Sequence, residues 1–170
     1  TVVRISRYSQ FADQPFRSPR DVFAEGGFDA IESDTKEKAS LLKSLGLNMN
    51  LAPVADVSTN PQDFIYDRAF GQDAAGTAEF VRLSVETYRA SGIACTLKHF
   101  PGYGNNADTH TGLAYDNRPM ETFDSSDFVP FRAGIEAKAP FVLVSHNVVS
   151  CMDPDAPASL SPPCMRFCGR

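Results

Sequence analysis

The chain has 170 residues, of which 42% are hydrophobic and 22% charged, a balance that suits one globular domain with a real core rather than a disordered or fibrous chain. Its formal net charge of -5, with no cluster of Lys or Arg, argues against nucleic acid or an anionic membrane as partner, because both select a concentrated positive face. No apolar run approaches the roughly 20 residues of a membrane-spanning helix.

Residues 1 to 20 lack the apolar core of a secretion signal, which tips the expectation of location towards the cytoplasm. The chain opens mid-strand on Thr1-Val2-Val3-Arg4-Ile5 without an initiator Met. Four cysteines stand at 95, 151, 164 and 168, without the dense spacing of a disulfide-stapled domain. Cys95 lies in an apolar run and reads as a small buried hydrophobe. Cys164 and Cys168 are one helical turn apart, and zinc would need two further converging ligands, so ordinary thiols are expected, with no metal and no cofactor.

After the opening strand and a polar loop, Ser18-Pro19 reads as a helix start, with Ser as N-cap and Pro at the first helical position. Gly26-Gly27 closes or interrupts that helix. From Ile31 to Leu45 the apolar residues Ile31, Ala39, Leu42 and Leu45 share one face, and Gly46 ends the segment. Leu47 to Val54 reads as a strand with Asp56 just beyond its C-terminal end.

A loop over residues 58 to 72 leads to a helix from Asp73 to Ser91, stopped by Gly92. The short strand Ile93-Ala94-Cys95-Thr96-Leu97 follows, with Lys98 and His99 at its end. The turn Asp116-Asn117-Arg118-Pro119 precedes a helix from about Asp124 to Lys138. A strand, Phe141 to Ser145, then delivers His146.

This helix-strand-loop alternation implies parallel βαβ units. A Gly-rich phosphate turn opening a helix would favour a doubly wound sheet, but Gly102-Tyr103-Gly104 is too short and opens no helix. Chemically capable residues at successive strand ends, Asp56, Lys98 with His99, and His146, suit a barrel whose site forms at the C-terminal ends of its strands. A whole barrel needs about 250 residues, so the expected fold is a partial (β/α)8 TIM barrel over residues 1 to 161. Residues 162 to 170 form an atypical or truncated tail that does not read as a helix. The remaining barrel strands are needed for a complete site, and without them the segment is expected to be marginally stable.

The densest chemistry lies between Lys98 and His110, Lys-His-Phe-Pro-Gly-Tyr-Gly-Asn-Asn-Ala-Asp-Thr-His. An acid two residues from a histidine can turn back onto the imidazole and fix its tautomer, so Asp108 and His110 form a candidate proton-transfer pair; an exposed loop Asp and His is the plainer reading. Ionisable residues at a buried strand end, Lys98 and His99, are costly unless paired or functional. Arg68, in Asp67-Arg68-Ala69-Phe70-Gly71, could clamp a polar substrate group or simply face solvent.

The segment from Lys98 to His110 closely resembles the signature of glycoside hydrolase family 3 in its β-N-acetylhexosaminidase branch, Lys-His-Phe-Pro-Gly-His-Gly, a short run, then Asp-Ser-His. Leu47 to Val57, Asp67 to Gly71 with Asp73, and Pro157-Ala158-Ser159-Leu160-Ser161 match the family in the same order. Tyr103 replaces the commoner His, Thr109 the commoner Ser, and the run before Asp108 is one residue shorter than usual.

The resemblance implies a (β/α)8 barrel and retaining hydrolysis of terminal N-acetylglucosamine from cell-wall or chitin-derived saccharides through a covalent glycosyl-enzyme. It makes His110 the general acid/base with Asp108 as its orienting partner, where most retaining glycosidases use a carboxylic acid. Lys98, His99, Arg68 and Arg4 would hold the sugar and His146 would line the pocket. The nucleophilic aspartate of the family belongs to a strand after residue 170. Two alternatives are an inactive sugar-binding fragment and a metal-dependent barrel hydrolase using His99, His110, His146 and Asp108 as ligands.

Overall fold

A computed structural model of the chain describes residues 16–106, 112 and 114–168. Helix α1 runs over Pro19–Ser44, with the Ser18 hydroxyl accepting the Asp21 N–H at 3.1 Å, as the Ser-Pro start predicts. Gly26 and Gly27 are non-helical, Gly27 at φ 62, and interrupt α1 at a kink between two helical stretches, as the Gly-Gly pair predicts. At its C-terminus Gly46 takes φ 71 and the Leu47 N–H reaches back to the Leu42 carbonyl at 2.9 Å, a Schellman closure.

Strand β1 is Met49–Asn50, helix α2 is Ala74–Ala90 and strand β2 is Ala94–Phe100. Asp73 caps α2 through Gly76 N–H at 2.8 Å. The strand expected over residues 47 to 54 is therefore short, although single contacts continue it: Thr96 N–H to Ala52 O at 2.9 Å, Ala55 N–H to Lys98 O at 2.6 Å, and a parallel bridge from Val54 to Lys98. Pro53 interrupts the ladder because it has no N–H to donate.

Strand β3 is Tyr115–Asp116. The helix expected near Asp124 begins earlier, as α3 over Met120–Thr122, passes through a π-helical turn at Phe123–Asp127, and continues as α4 over Phe128–Glu136. Pro119 at the N-cap marks that start, a breaker that the sequence reading placed in the turn rather than at the helix. Strand β4 is Phe141–Val144 and β5 is Val148–Val149. The tail also differs from expectation: Pro162–Cys168 is a helix, α5. Ser161 caps it, accepting the Cys164 N–H at 3.0 Å, so Ser161-Pro162 repeats the signal of Ser18-Pro19.

The sheet order is β1-β2-β4, all parallel, and β3 pairs with β5 in parallel beside it. One face carries the core: Cys95 and Leu97 on β2, Val81 and Val85 on α2, and Phe123 and Phe131 before and within α4 are all buried. Gly134 lets α4 lie directly on β2, since a Cβ there would stand 2.6 Å from a Leu97 methyl.

Polarity along β1 is the reverse of what its pattern suggests. Asn50 is the buried residue, donating to the Tyr88 hydroxyl at 2.8 Å, while Met49 and Leu51 are each 40% exposed. Register places Met49 beside Ala94 and Thr96 beside Phe141, itself 47% exposed. Met49, Leu51 and Phe141 lie on the sheet face that a closed barrel turns inward, where among the described residues they stay exposed while Thr96 between them is buried. Among the described residues no helix is long and apolar enough to cross a membrane.

Candidate active site

The site forms where β1 and β2 end. Asp56 is 1% exposed and accepts three N–H groups: His99 Nδ1 at 2.8 Å and the His99 backbone N–H at 3.2 Å on Oδ2, and the Tyr103 backbone N–H at 2.8 Å on Oδ1. One carboxylate thus joins the end of β1 to both the end of β2 and the turn that follows it. On the far side of the imidazole, Nε2 lies 3.3 Å from Arg68 Nη2. The Tyr103 ring meets His99 edge-on at 5.3 Å and rests against Phe64 at 5.6 Å.

Lys98, next to His99, is 5% exposed. Burial first, and the Arg68 charge second, pull its ammonium down to about 8, while the Asp56 carboxylate holds it up. Among the described residues the Lys98 and Arg68 cations are opposed by the Asp56 anion, a surplus of positive charge with many donors. Such a surface suits the hydroxyl, carbonyl or anionic oxygens of a small polar ligand.

The turn after β2 is held from behind by a second cluster. Arg118 bonds Asp116 through Nη2 at 2.7 Å and Asp127 through Nη1 at 2.9 Å, and donates to the Gly102 carbonyl at 3.3 Å. Asn106 donates to Asp116 at 2.7 Å and to the Tyr103 carbonyl at 2.8 Å. Gly102 at φ 131 and Gly104 at φ 53 are required here, because side chains at these positions would meet Asp127 and Arg118 respectively. Burial lifts the Asp127 carboxyl to about 6 against the pull of Arg118, with the Asp56 and Asp116 carboxylates adding to the rise.

Of the sequence-derived candidates, Lys98, His99 and Arg68 come together around Asp56. His146 follows β4, is exposed, and pairs through Nδ1 with the Ser159 hydroxyl at 2.7 Å, tying the strand end to the Pro157–Ser161 segment. Arg4, Asp108 and His110 lie outside the described residues. Asp56 was legible as an acid at a strand end, but its partners 43 and 47 residues away were not. Arg118 and Asp127 carried no signal beyond a turn and a helix start.

Among the described residues no group of three or more His, Cys, Asp or Glu is placed to hold a metal ion. In addition, His99 has both ring nitrogens engaged. The metal-centred alternative therefore lacks a free imidazole at that position.

Parallel strands alternating with helices, with polar groups gathered at the C-terminal strand ends, define a segment of a β/α-barrel of the enzyme type. The chain belongs to glycosyl hydrolase family 3: the family's N-terminal domain matches residues 16–167. It is 42% identical over 118 residues to a beta-hexosaminidase of Xylella fastidiosa strain M12, covering 69% of this chain and 35% of that protein. A beta-hexosaminidase of Xanthomonas oryzae pv. oryzae is 39% identical over 138 residues, covering 81% of this chain and 41% of the relative.

The crystal structure of a beta-N-acetylhexosaminidase from Beutenbergia cavernae superimposes with a TM-score of 0.77 at 32% identity, over 93% of this chain and 49% of that one. The chain spans well under half the length of these two curated relatives.

Proposed function

We propose that this chain supplies one half of the catalytic barrel of a retaining β-N-acetylhexosaminidase that removes terminal N-acetylglucosamine from saccharides. The observation that carries the reading is the cluster of Lys98, His99 and Arg68 around Asp56 at the strand ends of a family 3 domain. In this reading Lys98 and Arg68 grip the sugar ring, joined by Arg4, with His99 held between Asp56 and Arg68 behind them and His146 at the pocket edge.

His110 then protonates the departing glycosidic oxygen and afterwards takes a proton from the attacking water, while Asp108 holds its imidazole in the working tautomer. The nucleophilic carboxylate comes from outside this chain. Asp56 accepts three N–H groups and Asp116 and Asp127 are tied to Arg118, so none of these acids is free to attack an anomeric carbon.

The test is His110→Ala in the protein carrying the complete barrel. Loss of general acid/base catalysis is expected to lower kcat on a natural N-acetylglucosaminide by roughly 10²–10⁴-fold. A glycoside with a strongly acidic leaving group is expected to keep a fast first step and accumulate the glycosyl-enzyme. Near-normal turnover of the natural substrate would refute the role of His110.

A further inference from the structure

We infer that Asp56 is a positioning residue that sets the tautomer of His99, and that His99 in turn aims the Arg68 guanidinium into the sugar site. The inference deepens the proposed function and rests on it for the identity of the ligand. Its physical basis is the direction of each hydrogen bond.

A guanidinium has only donors, so the 3.3 Å contact between Arg68 Nη2 and His99 Nε2 requires a lone pair on Nε2. The proton of the neutral imidazole must then sit on Nδ1, where the Asp56 carboxylate accepts it at 2.8 Å. Each element of the chain Asp56, His99, Arg68 thereby has its donor facing an acceptor, and the opposite tautomer would set Nε2–H against an Arg68 N–H.

Asp56 is itself held on all sides. Its second oxygen accepts the Tyr103 N–H at 2.8 Å and the first also takes the His99 N–H at 3.2 Å. The Tyr103 ring, 2% exposed, stands edge-on to the imidazole and restrains its plane. Since both nitrogens of His99 are occupied, its effect on a ligand passes through Arg68, whose remaining N–H groups carry the contact. A carboxylate behind an imidazole is the same device that fixes ligating histidines in metal sites, used here to hold a cation.

An amide cannot replace this carboxylate. In Asp56→Asn one end of the side chain becomes an N–H donor, and either orientation sets it against a donor, the Tyr103 N–H or the His99 side. Turned towards His99, it favours the Nε2–H tautomer, which expels Arg68.

The experiment uses the protein with its complete barrel, selectively ¹⁵N-labelled at histidine. Wild-type protein is expected to show His99 with a protonated Nδ1 and an unprotonated Nε2, a measurement that needs no variant and no catalysis. Binding of N-acetylglucosamine is then measured by calorimetry for wild type, Asp56→Asn, Arg68→Met and the double variant.

Each single change is expected to weaken binding roughly ten- to hundredfold, and the double variant to be no weaker than Arg68→Met, since both remove the same contact. An Nε2–H tautomer in wild type, or effects that simply multiply in the double variant, would overturn the inference. If wild-type protein fails to bind N-acetylglucosamine, the proposed function fails, and the tautomer measurement alone decides the Asp56–His99–Arg68 chain.

Discussion

Asp127 offers the sharpest test of the balance of forces behind the turn that follows β2. It is 2% exposed, it faces Arg118, and the two influences oppose each other: burial disfavours the carboxylate and the guanidinium favours it. The outcome, a carboxyl lifted from 3.8 to about 6, means that burial wins. Between those pH values the folded protein keeps the proton and the unfolded chain has released it.

The stability contributed by this group is thus present in full below about pH 4 and lost as pH rises through about 6. The interval from 3.8 to about 6 corresponds to roughly 3 kcal/mol. Asp127→Asn keeps the shape and removes the titration. Urea unfolding of both proteins at intervals from pH 4 to pH 7 reads the effect, because titrating groups remote from Asp127 cancel in the difference, leaving Asp127 with its coupled neighbours Arg118, Asp116 and Asp56. The variant is expected to gain on wild type by about 3 kcal/mol over that range. A difference independent of pH, or one that moves the other way, would show that the Arg118 pair outweighs burial and refute the reasoning.

Two other outcomes are expected. Because Lys98 loses its proton at about 8, KM for an N-acetylglucosaminide should rise as pH passes that value, and Lys98→Met should raise KM at neutral pH and flatten the limb; steady-state kinetics from pH 6 to 9.5 check it. Gly134→Val places a Cβ 2.6 Å from a Leu97 methyl and 2.9 Å from Val81, both fully buried, so a loss of about 2 kcal/mol is expected from overpacking, read as a lower unfolding midpoint.

Among the described residues Met49, Leu51 and Phe141 present apolar surface where a barrel places its interior, and β1 and β4 are the outer strands of the three-stranded sheet. Stability and activity are accordingly properties of the assembled barrel, and the variants above belong in that setting.

Sequence alone determined the main alternation of helices and strands, the helix starts at Ser18-Pro19 and Asp73, the stops at Gly46 and Gly92, and the place of Lys98 and His99 at a strand end, whereas β3, β5 and α5 were not legible in it. These signals are local: a cap, a φ above zero or a run of β-formers acts within a few residues of itself. Asn50 shows the limit, since its buried amide is matched by the Tyr88 hydroxyl on α2, 38 residues away.

Tertiary structure alone decided that Asp56 gathers the His99 and Tyr103 N–H groups, that His99 stands between Asp56 and Arg68, and that Arg118 braces the turn from behind. Each depends on the direction of a donor and acceptor brought together across 31 to 47 residues or around a buried turn. Spacing in a sequence can say that an acid and a histidine exist, but only the folded chain points one at the other.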